Sequence, residues 1–137
     1  MMKKTVNYAM IYAILAMIGG VFYREFTKFQ GFSGRTDLAF VHTHLFLLGM
    51  VMIVTFCIKL FAIDESKKYK LFLRIYHPGV LITTIMLFVR GILQVNQTVV
   101  SSGMNGMISG IAGVGHILTG VGIILFLLIL KECVKEA

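Results

Sequence analysis

Residues 38–58 read LAFVHTHLFLLGMVMIVTFCI, 21 residues without a formal charge. About 20 apolar residues in a helix are enough to cross a bilayer. Two further uncharged windows, Thr5 to Tyr23 (19 residues) and Gly91 to Leu130 (40 residues), flank this one. Adding residues 75–95, broken only by Arg90, gives four crossings at about 6–23, 38–62, 75–95 and 106–130. The spacing therefore predicts an all-α, polytopic membrane protein, with residues 1–137 forming a single four-helix transmembrane domain. Only 14% of the chain is charged and its mean hydropathy is +0.88, against about a quarter charged in an average soluble domain. No stretch remains for a Rossmann or P-loop enzyme, a nucleic-acid reader or a secreted disulfide scaffold.

The net charge of +7 has a membrane explanation, because Lys and Arg collect in cytoplasmic loops. With the N-terminus inside, Lys3, Lys4, Lys59, Lys67, Lys68, Lys70, Arg74, Lys131 and Lys135 fall on that side. Arg24, Lys28, Arg35 and Arg90 fall outside. The bias places both termini in the cytoplasm of an inner-membrane protein in contact with lipid, with no nucleic-acid partner. Cys57 and Cys133 then lie on the reducing side, where free thiols are the default. The first apolar run ends in Phe-Tyr-Arg-Glu without a small-residue cleavage site, so it reads as a retained span rather than a signal peptide.

Within the spans, Tyr8, Tyr12, Gly19 and Tyr23 share a side of the first helix and predict a packing seam. Asp37 is the expected N-cap of the second helix, and Pro78 is expected in the first turn of the third. Gly106, Gly110, Gly113 and Gly120 return to one bearing on the fourth helix at about 100° per residue. Such a stripe suits close helix packing or a flat cofactor laid on bare backbone. Gly79, Thr83, Arg90 and Gln94 form a polar stripe on the third helix, facing protein or cofactor rather than lipid.

His42, His44 and His116 lie inside spans, where ionisable groups mark function by default. His77, beside Pro78, reads as an interfacial, solvated residue. The His42-Thr43-His44 spacing is the most informative. Residues two apart on an α-helix point about 200° away from each other, so the two imidazoles serve two different sites. If a neighbouring subunit completes each site, the contact is heterologous and closes into a ring. Imidazoles bind iron, copper and zinc. Opposed histidines without carboxylate or cysteine suit bis-histidine haem b, bound non-covalently, better than zinc with its three or four ligands. Arg90 and Arg35, with Arg24 and Lys28, lie at the outer rim for the anionic propionates. His116 is open to three readings: haem ligand in place of His42 or His44, ligand of a separate metal, or a hydrogen-bonding supporter of the first ligands.

The stretch Phe40-Val41-His42-Thr43-His44-Leu45-Phe46-Leu47-Leu48-Gly49 resembles the tenth-helix His-x-His motif of haem–copper oxidase catalytic subunits. There the two histidines serve haems on opposite sides of one helix, in twelve spans arranged as three pseudo-repeats of four. The resemblance implies a homotrimer in which each chain acts as one repeat, with His42 of one subunit and His44 of the next on a shared haem. The chain as a whole resembles a small four-span bacterial membrane protein family of unknown function. It departs from the oxidases in lacking their three-histidine copper site and cross-linked tyrosine, which argues against oxygen reduction. The expected role is electron transfer, or redox or gas sensing, with an unidentified redox partner. Two other readings stand beside it. One is copper transport or insertion using the histidines and methionines such as Met50, Met52 and Met86, although these show no paired Met-x-x-Met ladder. The other is a cofactor-free structural subunit.

Overall fold

The computed structural model describes residues 2–51, 53 and 67–135, with side chains for 6–50, 53 and 67–132. All regular structure there is helical: α1 (Met2–Phe29), α2 (Leu38–His44) continuing as a π-helix over Leu45–Val51, α3 (Lys67–Val95) and α4 (Ser102–Lys135). Three segments are long and apolar enough to cross a membrane, Val6–Phe29, Lys67–Val95 and Ser102–Glu132, while Leu38–Met50 is a shorter apolar helix. By length and composition this is a membrane protein. The remainder of the expected second span, with Met52, Cys57 and Lys59, lies outside the described residues, as do the side chains of Lys3, Lys4, Cys133 and Lys135.

The helices pack in chain order, α1 on α2 and its π-helical continuation, α2 on α3, and α3 on α4. Small residues set the closest approaches. A Cβ on Gly79 of α3 would lie 2.5 Å from the Thr119 backbone nitrogen, and one on Gly115 of α4 would lie 2.7 Å from Thr83 Oγ1. One on Gly122 would lie 2.6 Å from the Tyr76 ring. Gly115, Thr119 and Gly122 thus form one row on α4 that lets the two backbones meet. The expected stripe of Gly106, Gly110, Gly113 and Gly120 is a second row about 200° away, and an added Cβ there meets nothing. Small-residue packing does hold α4 in place, but through the row opposite the one the glycine spacing singled out.

Aromatic side chains fill the centre. Tyr76 and Phe72, both fully buried, stack at 5.0 Å, and Phe126 of α4 closes on Phe72 at 6.0 Å. The Tyr76 hydroxyl donates to the Leu48 carbonyl at 2.7 Å. Gly49 beside it is pressed against the Tyr12 ring. Both contacts fall in the π-helix, whose i→i+5 bonding is wider than an α-turn, where an unbroken α-helix from residue 38 had been expected.

Three further expectations change. Asp37 makes no side-chain cap. Thr36 acts there instead, accepting from the Leu38 N–H at 3.3 Å and donating to the Gly91 carbonyl at 3.0 Å, which ties the start of α2 to the end of α3. Pro78 lies well inside α3 rather than in its first turn, because the helix begins at Lys67. Membrane helices tolerate such a proline where neighbouring groups satisfy the freed backbone. His77 is half-buried rather than solvated.

The seam makes a differential prediction. Gly79→Ala forces α3 off Thr119 and lowers stability by about 1–3 kcal/mol, whereas Gly110→Ala, on the bare row, does not destabilise. Thermal unfolding of the two variants in detergent checks this, and equal effects would contradict the assignment of the rows.

Candidate functional site

The histidines of α2 diverge as their spacing requires. His42 turns to α1: a Cβ on Gly20 would lie 3.7 Å from its Cβ and Cγ. Its Nδ1 is buried and has no hydrogen-bond partner among the described residues. His44, on the opposite side, donates from Nδ1–H to the Phe40 carbonyl one turn back, at 2.8 Å. His116 repeats the device on α4, donating from Nδ1–H to the Ala112 carbonyl at 2.8 Å.

A carbonyl only accepts, so in both rings the proton is on Nδ1 and the Nε2 lone pair points away from its own helix. A backbone carbonyl holding the far nitrogen is the usual support for a metal-ligating imidazole. His116 is exposed and lies between Gly113 and Gly120 on the bare side of α4.

Arg90 is held at the end of the α3–α4 pair. Its Nη2 donates to Asn105 Oδ1 at 3.0 Å and Ser109 Oγ at 2.7 Å. Ser109 passes its own proton to the Asn105 carbonyl at 2.9 Å. The expected polar stripe does face protein: Gly79 meets Thr119, Thr83 meets Gly115, Gln94 bonds the Asp37 N–H and Arg90 bonds α4. Ser109 precedes His116 by seven residues, two turns and about 10.5 Å of helix rise on the same face. Arg35 is exposed just before α2, and Arg24 pairs with Glu25 at 3.7 Å.

The structure thus brings Arg90 and the His116 face together. It does not bring any two of His42, His44 and His116 into contact within one chain. Among the described residues no three His, Cys, Asp or Glu side chains gather where one metal ion could sit.

Sequence reasoning missed two arrangements. The first is a half-buried cluster around His77, whose Nδ1 shares a 2.8 Å hydrogen bond with the Tyr12 hydroxyl. Tyr8 lies 4.8 Å and Tyr12 5.6 Å from the His77 ring. The i, i+4 tyrosines of α1 were a signal for it, but their partner was out of reach without the fold. The second is the Asn105–Ser109 pair around Arg90, also at i, i+4.

Residues 2–133 match the family model described as "Protein of unknown function (DUF2871)", and the chain belongs to that family. No curated protein and no solved structure matches the chain. The likeness to haem–copper oxidases therefore rests on Phe40–Gly49 alone.

The geometry predicts that neutral His44 and His116 are the Nδ1–H tautomer. In ¹⁵N NMR of the protein without added metal, both should show Nε2 as the unprotonated nitrogen. An Nε2–H tautomer at either residue would remove the ligand-ready geometry there.

Proposed function

We propose that this DUF2871 chain is a membrane haem b protein that ligates iron through two histidines at a subunit interface and serves electron transfer. The observation that carries the reading is the pair of backbone-tethered imidazoles, His44 and His116, each held through Nδ1 by its own helix, which leaves Nε2 of the neutral ring as the ligand atom. Two neutral nitrogen donors with no thiolate or carboxylate beside them suit haem iron. When bound, haem supplies a one-electron couple, and two axial histidines leave the iron no open position for a gas.

His44 and His116 sit on α2 and α4, which pack on α3 rather than on each other. One chain therefore offers its two tethered rings to two different neighbours, a head-to-tail contact that a ring closes. Three subunits is the number the oxidase resemblance implies. This pairing uses His116 of the next chain where the oxidase resemblance implies His42, because His42 is turned to Gly20 of its own chain. The bare glycine row beside His116 offers a flat surface for the macrocycle. Arg90, two turns away along α4, and exposed Arg35 are the cations for the propionates.

The test is the absorption spectrum of protein purified from haem-replete cells, with the iron-to-chain ratio. A low-spin Soret band with one haem per chain is expected. His44→Leu and His116→Leu should each lose the low-spin spectrum, and His42→Leu should keep it. If His42→Leu loses it and His116→Leu does not, the pair is His42 and His44. Absence of any Soret band from wild type, before and after reconstitution, overturns haem binding. Bound copper in its place would point to metal handling.

A further inference from the structure

At the end of the α3–α4 pair, a cavity of about 370 Å³ is lined by Arg90, Gln94, Gln97, Thr98 and Asn105, with Leu93, Val100 and Ile108 as apolar walls. No lining residue is acidic. Two of the polar side chains, Gln94 and Asn105, have spent their acceptors on the protein itself. Gln94 Oε1 takes the Asp37 N–H at 2.7 Å, which forces its NH₂ to be the free end. Asn105 Oδ1 takes Arg90 Nη2, which leaves the Asn105 NH₂ free by the same argument. Ser109, beneath them, accepts from Arg90 and donates to Asn105. What remains of Arg90, Gln94 and Asn105 is a set of donors: the Arg90 Nε and Nη1 groups and two amide NH₂ groups.

Gln97 adds an independent sign. The chain leaves α3 through a Schellman turn, with Thr98 N–H donating to the Leu93 carbonyl at 3.0 Å and Gln97 N–H to the Gln94 carbonyl at 3.1 Å. The left-handed position of that turn favours glycine, yet Gln97 occupies it at φ 51°. Backbone strain of this kind collects at binding sites, and here it brings a further amide to the cavity rim. The cavity lies at the last turns of α3 and the connection that follows, at the end of a membrane-length apolar helix, the level at which a transmembrane helix meets headgroups.

From the donors left by Arg90, Gln94 and Asn105, the fixed guanidinium, the absence of an acidic lining residue and a place at the end of a membrane-length helix, we infer that the Arg90 cavity is an oxoanion site that binds the phosphate of an anionic phospholipid headgroup. A carboxylate has the same acceptor chemistry, so a haem propionate is the other source to be distinguished. The site is complete within one chain and does not rest on the haem reading.

The experiment uses the full chain, delipidated in a neutral detergent without haem, and follows its unfolding midpoint as phosphatidylglycerol is added. Wild type should be stabilised, with inorganic phosphate competing. Loss of a charge-assisted hydrogen bond weakens binding by about ten- to a hundredfold, the loss expected for Arg90→Gln. Gln94→Glu keeps Arg90 but places an acceptor and a negative charge in the cavity, and should lose binding to a similar extent. Gln97→Gly should raise the midpoint of the lipid-free protein while weakening the lipid response, a combination a merely structural role does not produce. Equal phosphatidylglycerol responses in wild type, Gln94→Glu and Gln97→Gly overturn the site, even if Arg90→Gln fails to fold. Haem and its dimethyl ester separate the sources. Displacement of lipid by haem but not by the ester shows a carboxylate sharing the site, and displacement by neither leaves it to lipid phosphate; both support an oxoanion site.

Discussion

The close approach of α3 and α4 is the constraint on which the rest of the arrangement depends. Two helices in hydrocarbon gain little from burying leucine against leucine, since lipid is equally apolar, and associate through packing and hydrogen bonds. Gly79 against Thr119, Gly115 against Thr83 and Gly122 against Tyr76 bring the backbones together and place Tyr76 where its hydroxyl reaches Leu48. They also fix the rotation of α4. With the Gly115–Thr119–Gly122 row turned inward, the Gly106–Gly110–Gly113–Gly120 row faces out, and His116 faces out with it.

Polar side chains inside the bundle follow from the cost of leaving a donor or acceptor unmatched away from water, roughly 1–3 kcal/mol in proteins. Thr36 bonds Gly91, Tyr12 bonds His77, and Thr84 and Thr119 return to the carbonyls one turn back. Outside the hydrocarbon, Lys68 and Glu132 link α3 to α4 near the opposite end from Arg90. An exposed ion pair of this kind contributes little. The glycine seam and the aromatic stack of Phe72, Tyr76 and Phe126 therefore dominate that pairing.

Much of this was legible in the residues because it depends on periods. Helical character follows from uncharged windows longer than a bilayer is thick. The divergence of His42 and His44 follows from 100° per residue and survives the π-helix, which begins one residue later. The inward set of Gly79, Thr83, Arg90 and Gln94 was legible for the same reason. What depended on contacts between helices was not. Two glycine rows on opposite sides of α4 are equally good packing faces until α3 chooses one. Asp37 is a better cap than Thr36 by propensity, but only Thr36 also reaches Gly91. The π-helix has no proline or polar break to announce it, and the contacts that accompany it, with Tyr12 and Tyr76, come from α1 and α3. Pro78 looked like a helix start because the preceding residues are basic and polar, yet α3 runs through them.

The two tethered imidazoles share one local geometry. A histidine on a membrane helix can meet its hydrogen-bonding needs within its own turn, and His44 and His116 each do so with Nδ1. In the neutral ring that choice leaves Nε2 as an acceptor directed away from its own turn. Serine or threonine at these positions would bond back one turn with its single hydroxyl and leave far less exposed. The two rings lie on α2 and α4, whose main shared neighbour is α3. The same reasoning applied at Arg90 yields surplus donors instead of surplus acceptors. His116 lies two turns along α4 from Ser109, which Arg90 bonds, so an external ligand that met both His116 and the Arg90 donors would need an electron-pair acceptor at one end and an anion at the other.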